Sequence, residues 1–305
     1  MNNILKKIGP VGFYREALSI ALPVMLQQLV MSMVSLIDNF MVAGLGDISM
    51  AAVNVANQIN FIYIVLVNTV CGAGGIYLAQ FRGANDIDGM KNAYRFKALF
   101  SLGAGLVYFA LCWTIPDRML AMMTMGNAAQ AEIIAIGVTY LRLTSFSLLP
   151  MALSTAIGSA FREIGQARIP LAISVLATLV NTTGNWFLIY GNMGAPRLEV
   201  SGAAIATVIA RYVEVTIFLV YVHRNKAAFF VGFTRLLFIN KRLIREILSK
   251  SGMMFISELS WISSETIMTA LYNGRGGAEV VAGMAAGWTI ANIFFLLFGG
   301  IFTAT

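Results

Sequence analysis

Long apolar runs, separated by short charged or glycine-containing stretches, constrain this 305-residue chain more than any other feature. Hydrophobic residues make up 58% and charged residues 11%, far from the near-quarter charged share of a soluble domain. Runs of 18 or more residues with few charges have the length to cross a bilayer as helices. The punctuation predicts eight spans, at 16–44, 51–80, 93–115, 130–159, 169–191, 200–222, 252–273 and 280–305. The expected fold class is an all-α membrane protein, a polytopic helical bundle. No small-residue cleavage site closes the first run, so it is expected to remain as a span and not to act as a signal peptide. Cys71 and Cys112 fall inside apolar runs, where they behave as small hydrophobes.

Lys and Arg fix the direction of this map. Sixteen lie at the N-terminus and beside the even-to-odd turns of one side, and only Arg118, Arg197 and Arg275 lie on the other. That bias predicts a multi-pass protein of the cytoplasmic membrane with a cytoplasmic N-terminus. The basic residues sit next to spans, which excludes nucleic acid as the partner of the net charge of +7; the lipid bilayer is the expected one. The stretch 223–251, with Arg235, Lys241, Arg242 and Arg245, is expected to be an amphipathic connector on the inner leaflet.

The chain also begins to repeat. A shift of 230 positions superposes Leu18 on Leu248, Leu29 on Leu259, Ile37 on Ile267, Gly44 on Gly274 and Gly46 on Gly276. Repeated multi-helix units in a membrane chain point to secondary transporters, whose substrate lies between two lobes. The expected organisation is a first lobe of six helices at 1–222, the linker at 223–251, and helices 7 and 8 of a second, repeated lobe at 252–305. Two such units need about 460 residues, so most of the second lobe is expected to be absent from this sequence.

Polar residues inside the spans carry the functional signal. Asp38 lies in the first span, where a carboxylate costs a few kcal/mol or more unless paired, solvated or protonated. Gln27, Met31 and Ser35 share its helical face. The fifth span presents Thr178, Asn181 and Asn185 at i, i+3 and i+7, and Thr207 lies in the sixth. Asp38, Asn185 and Thr207 each stand six or seven residues from the outer end of their helix, at about 10 Å depth. Three helices therefore deliver a carboxylate, an amide and a hydroxyl to one level, as a cation or proton site requires. Ordinary interhelical hydrogen bonding is the competing account. Arg211 and Glu214, at i, i+3, are expected to neutralise each other. Glu258, Trp261 and Glu265 share a face of the seventh span as a second proton site or a polar lining, and Arg142 has no sequence-local acid. Pro23 and Pro150 are expected to bend helices 1 and 4. The Gly72, Gly74, Gly75 cluster is expected to serve close helix packing. Enzyme signatures are missing: the single histidine, His223, rules out a two-His metal site, and no nucleophile elbow or P-loop occurs.

These motifs resemble the multidrug and toxic compound extrusion (MATE) family of cation-coupled exporters. The matching pieces are Ala21-Leu22-Pro23, Ser35 through Val42, Gly44, Tyr140-Leu141-Arg142, Phe161 through Gln166, Asn181, Asn185 through Gly191, and Gly202 through Thr207. The resemblance implies twelve helices in two lobes around a V-shaped cavity, functioning as a monomer when full-length, with no cofactor beyond a coupling ion, H+ or Na+. It also implies that the protein exports small hydrophobic, often cationic substrates. Asp38 matches the family's first-helix carboxylate, and Asn181 and Thr207 match polar residues of its first-lobe cation site. Asn185 departs from members that carry Asp there. Sodium would be held at Asp38, Asn181, Asn185 and Thr207, but one charge fewer favours the proton, which needs only a desolvated carboxylate. A lipid-linked saccharide flippase would need several cavity-facing cations for a pyrophosphate, and only Arg142 and Arg211 lie within spans. A non-transporting fragment or scaffold is the remaining alternative.

Overall fold

The computed structural model describes residues 11–275, which are helical with no strand among them. Their helices are α1 (Val11–Ala43), α2 (Asp47–Gly83), α3 (Ile87–Thr114), α4 (Pro116–Met123), α5 (Gln130–Ser145), α6 (Leu148–Glu163), α7 (Arg168–Tyr190), α8 (Glu199–Arg224) and α9 (Lys241–Arg275). The eighth expected span, 280–305, lies outside the described residues. Four helices (α2, α3, α7 and α8) are long and apolar enough to cross a membrane, and α5 with α6 forms a fifth span bent by 50°. The first and seventh expected spans are present as the helices α1 and α9. Ala17–Val30 is an apolar stretch of α1, and α9 opens on Lys241, Arg242, Arg245 and Lys250 before it becomes apolar.

The bend between α5 and α6 has a local cause. Pro150 has no N–H to give the Phe146 carbonyl, so the ladder opens one turn upstream of the proline, at Phe146 and Ser147. Hydroxyls cover the corner: Ser145 Oγ donates to the Arg142 carbonyl and Ser147 Oγ to the Thr144 carbonyl, both at 2.6 Å. Pro23, by contrast, sits inside an uninterrupted α1. The helix α4 was not legible as a separate element; it begins on Pro116, whose fixed φ suits a first helical position.

Helices α7 and α8 approach closely because glycine removes the side chain at their crossing. A Cβ at Gly202 would run into the Leu188 carbonyl, and one at Gly184 would stand 3.0 Å from the Ala206 methyl. Gly191 closes α7 in the left-handed conformation, φ 73°, which L side chains adopt only at a cost. The Leu198 N–H then returns to the Leu188 carbonyl at 2.8 Å, fixing the turn into α8.

The Gly74–Gly75 pair has a more specific role than general packing. Lys97 of α3 donates to both carboxylate oxygens of Glu163 of α6, at 2.7 and 2.6 Å. A Cβ on Gly75 would strike the Glu163 carboxylate, and one on Gly74 would strike the Lys97 stem. Lys97 is fully buried. Removing one partner of such a pair leaves an uncompensated buried charge, worth about 3–5 kcal/mol.

The 223–251 stretch departs from a connector that only lies on lipid. Phe229, Val231, Leu236, Leu243 and Ile247 are buried in the core of the lobe, with Phe229 edge-on to Phe161 at 5.2 Å. Leu237 and Phe238 remain exposed. From Lys241 onward the stretch is already α9, eleven residues before the expected start of the second lobe at 252. On its exposed first turns Lys250 donates to Glu246 at 2.7 Å, a contact that holds the Glu246 carboxyl below its usual range and the Lys250 amine above.

The glycines offer a test of the packing. Gly202→Ala must push α8 off the Leu188 carbonyl, whereas a methyl at the exposed Gly103 in α3 meets nothing within 4 Å. Gly103→Ala should therefore stabilise by up to about 1 kcal/mol through lost unfolded-state freedom, and Gly202→Ala should lower the unfolding midpoint. The buried thiols of Cys71 and Cys112 report unfolding to a thiol-reactive fluorophore in both variants.

Candidate functional site

A cavity of about 430 Å³ opens in the lobe, walled by α1, α2, α5, α6, α7 and α8. Asp38 reaches it from α1, Thr178, Asn181 and Asn185 from α7, and Thr207 from α8. The levels inferred from chain distance therefore do meet in space. Asn185 Nδ2 donates to Asp38 Oδ1 at 2.7 Å. With both ends of its amide satisfied, Asn181 donates to Asp38 Oδ2 at 2.9 Å, and its carbonyl oxygen stands 3.3 Å from Thr207 Oγ1. Thr207 Oγ1 is also 3.0 Å from the Ala203 carbonyl. Each carboxylate oxygen of Asp38 thus faces one amide N–H, the arrangement that suits an ionised, acceptor-only carboxylate.

One atom of this cluster is left over. Asn185 is buried, and its Oδ1 has no hydrogen-bond partner. An orphaned buried acceptor costs about 1–3 kcal/mol, which a bound cation or a donated proton would recover. Counting Asp38, Asn181, Asn185 and Thr207, the wall supplies five side-chain oxygens at this level. The donor set fits a sodium ion once both amides turn their carbonyls inward, and fits a proton once one amide turns its carbonyl to Asp38.

A second polar level lies nearer the Arg168 end of α7 than the first. Gln27 of α1 donates to Ser174 Oγ of α7 at 2.8 Å, and Ser174 Oγ to Glu214 Oε1 of α8 at 3.3 Å. Arg211 Nη1 donates to Glu214 Oε2 at 2.8 Å, which is the expected mutual neutralisation. The side chains of Met31 and Ser35 lie outside the described residues. Glu258 and Glu265 are half-buried and stand off the cavity wall, while Trp261 packs edge-on against Phe61, a wall residue, at 6.0 Å. The seventh-span face is thus not brought into the Asp38 cluster. Among the described residues Arg142 finds an aromatic partner and no acid: its guanidinium lies 5.8 Å over the Trp113 ring.

The contribution of α2 escaped the sequence reading. Asn57 and Asn60 line the cavity, where Tyr140 Oη donates to Asn57 Oδ1 and Tyr108 Oη to Asn60 Oδ1, each at 3.2 Å. Two amides at i, i+3 in an Ala-rich run were the available signal. Their partners lie some 50 to 80 positions away, so sequence could not name them.

The contact between Asn185 and Asp38 makes a charge-changing variant informative. Asn185→Asp would set two carboxylates at hydrogen-bond distance, where they share one proton. The folded state then keeps a proton that the unfolded chain has released, so stability should fall as pH rises from about 5 to about 8, by up to roughly 1.4 kcal/mol per pH unit. Sodium should recover part of the loss. A difference from the parent chain that does not vary with pH would place the two side chains apart.

Similarity to known proteins agrees with this geometry. The MatE family model matches residues 23–187. Over 95% of its length the chain is 25% identical to the Synechococcus sp. protein designated "Probable multidrug resistance protein NorM", covering 62% of that protein. It is 25% identical over 63% of its length to multidrug resistance protein PmpM of Pseudomonas aeruginosa, covering 40% of it. Among solved structures, a MOP superfamily transporter from Pyrococcus furiosus superposes with a TM-score of 0.82 at 21% identity, covering 95% of this chain and 62% of that one. An outward-facing multidrug resistance MATE family transporter gives 0.80 at 20% identity, with the same coverages. The chain spans about three fifths of the length of such relatives. The helical membrane bundle, the polar cavity and the family match over more than half of the sequence make this chain a member of the MatE family.

Proposed function

We propose that the chain works as the first lobe of a cation-coupled antiporter, which expels small hydrophobic, often cationic compounds across the cytoplasmic membrane. The observation that carries this reading is Asp38, held by two amide N–H groups at 2.7 and 2.9 Å on the wall of the membrane cavity. An acid placed there at the cost of desolvation needs a task, and loading a cation from outside is one that a two-lobed transporter requires. Protonation converts Asp38 from an acceptor of two hydrogen bonds into a donor, so one amide must turn and the clasp between α1 and α7 rearranges. Binding of the coupling ion thereby changes contacts between helices, which is how a small ligand shifts a two-state equilibrium. The N-terminus faces the cytoplasm by the distribution of Lys and Arg, and the protein acts as a monomer by transport, not catalysis.

The proton is the coupling ion of choice, since one carboxylate suffices to bind it, whereas Asn at 185 leaves one negative charge fewer to hold sodium. The orphaned Asn185 Oδ1 supports sodium as the second reading. A pyrophosphate-bearing lipid suits the site poorly: the one basic side chain on the described wall, Arg211, is already bound to Glu214.

Ethidium, an organic cation, serves as the probe in inverted membrane vesicles carrying a full-length, two-lobed transporter that contains this chain. Asp38→Asn should reduce proton-gradient-driven ethidium uptake at least about tenfold, the loss of an interaction worth roughly 1.4 kcal/mol or more, with insertion into the membrane unchanged. Undiminished uptake would overturn the assignment. In sodium-free buffer the parent transporter should retain uptake; a strict sodium requirement would transfer the role to Na+.

A further inference from the structure

The described residues hold two buried acid–base pairs, and they differ in one respect. Lys97–Glu163 is sealed between α2, α3 and α6: the Lys97 side chain has no exposure, and neither residue lies on the wall of the cavity. Arg211–Glu214 forms part of the wall that Asp38 also lines. Its carboxylate is 7% exposed, whereas its guanidinium is 28% exposed. A pair whose only task is structural gains nothing from facing an aqueous cavity, because water weakens its attraction while burial still charges the desolvation cost.

Glu214 stands seven residues beyond Thr207 on α8, which places it roughly 10 Å farther towards the cytoplasm than the Asp38 level. Thr178, one helical turn from Ser174 on α7, lines the wall between the two levels. Both oxygens of Glu214 have donors, Ser174 Oγ on one and Arg211 on the other, and Gln27 holds Ser174 from α1. The three helices that meet at Asp38 therefore meet again at Glu214. Other titratable groups facing this space are Asp38 from α1 and Tyr140 from α5. From α6, Glu163 is engaged by Lys97 and Arg162 stands beside it; from α7, Arg168 is exposed at the first residue.

We propose that Glu214 is a second proton-accepting carboxylate of this lobe, the inner station of a cavity whose outer station is Asp38. A proton arriving from the cavity binds one Glu214 oxygen, the Arg211 bond to that carboxylate is released, and the guanidinium is left free to face the cavity. Proton loss to the cytoplasmic side restores the pair. The inference rests on Asp38 being the coupling carboxylate, because the two acids then share one ion path.

Dicyclohexylcarbodiimide modifies protonated carboxyls in apolar surroundings, and peptide mass analysis reads each acid separately. In lipid nanodiscs carrying the 305-residue chain, assayed from pH 5 to 9, modification of Glu214 should fall as pH rises, and the midpoint of that fall is the readout. Asp38→Asn removes a like charge roughly 10 Å away, and should lower that midpoint by about one pH unit. Ser174→Ala removes a donor to the ionised form and should raise it; this small change also guards against a variant that fails to fold. Glu214 unmodified across that range while Asp38 reacts, or a midpoint indifferent to Asp38→Asn, would reduce Arg211–Glu214 to a fixed structural pair and leave the role of Asp38 intact. Absence of modification at Asp38 itself would overturn the parent reading and this inference with it.

Discussion

The close approach of α7 and α8 is the constraint on which the site depends. Gly202 lets the second helix lie against the Leu188 carbonyl of the first, and only at that spacing can Asn181 and Thr207 come within 3.3 Å. Asn181 and Asn185 then project from α7 towards α1, where Asp38 takes one hydrogen bond from each. The apolar remainder of the lobe, with Ile189, Val200 and Ala204 buried around this crossing, holds the helices at a separation that side chains at Gly202 or Gly184 would not permit. In a membrane, where apolar surface alone gives no preference for helix over lipid, such small-residue contacts and interhelical hydrogen bonds decide the arrangement.

Much of the site was legible because depth in a bilayer is a ruler. Counting residues from Gly44, Gly191 and Val200 put Asp38, Asn185 and Thr207 on one level, and the structure brings these side chains or their immediate neighbours into contact. Arg211 and Glu214 were legible for the simpler reason that i, i+3 partners on a helix need no tertiary information. Partnerships across helices were not. Nothing local announces that Lys97 belongs to Glu163, 66 residues away, or that Asn57 waits for Tyr140.

Helix ends were the other source of disagreement. The expected fourth span is two helices, because the consequence of Pro150 appears one turn before it, and the expected leaflet connector contributes five apolar side chains to the core, Leu243 and Ile247 from the first turns of α9. Amphipathicity identifies a face that seeks an apolar partner, but it does not say whether lipid or protein will provide it. In this chain protein wins for Phe229 and Leu243, and the exposed Leu237 and Phe238 are left for other contacts.

The notch at Gly74 and Gly75 has a consequence for how such sequences can vary. Each glycine is matched to one member of the buried pair, Gly74 to the Lys97 stem and Gly75 to the Glu163 carboxylate. A side chain at either position displaces a charge from its partner, and a neutral residue at either end of the pair strands the other. No single replacement among these four positions is therefore free. Divergence has to pass through linked exchanges, in which an apolar pair replaces Lys97 and Glu163 while larger residues refill the notch. Across related chains these positions should accordingly drift as one unit, in step with each other and out of step with their sequence neighbours.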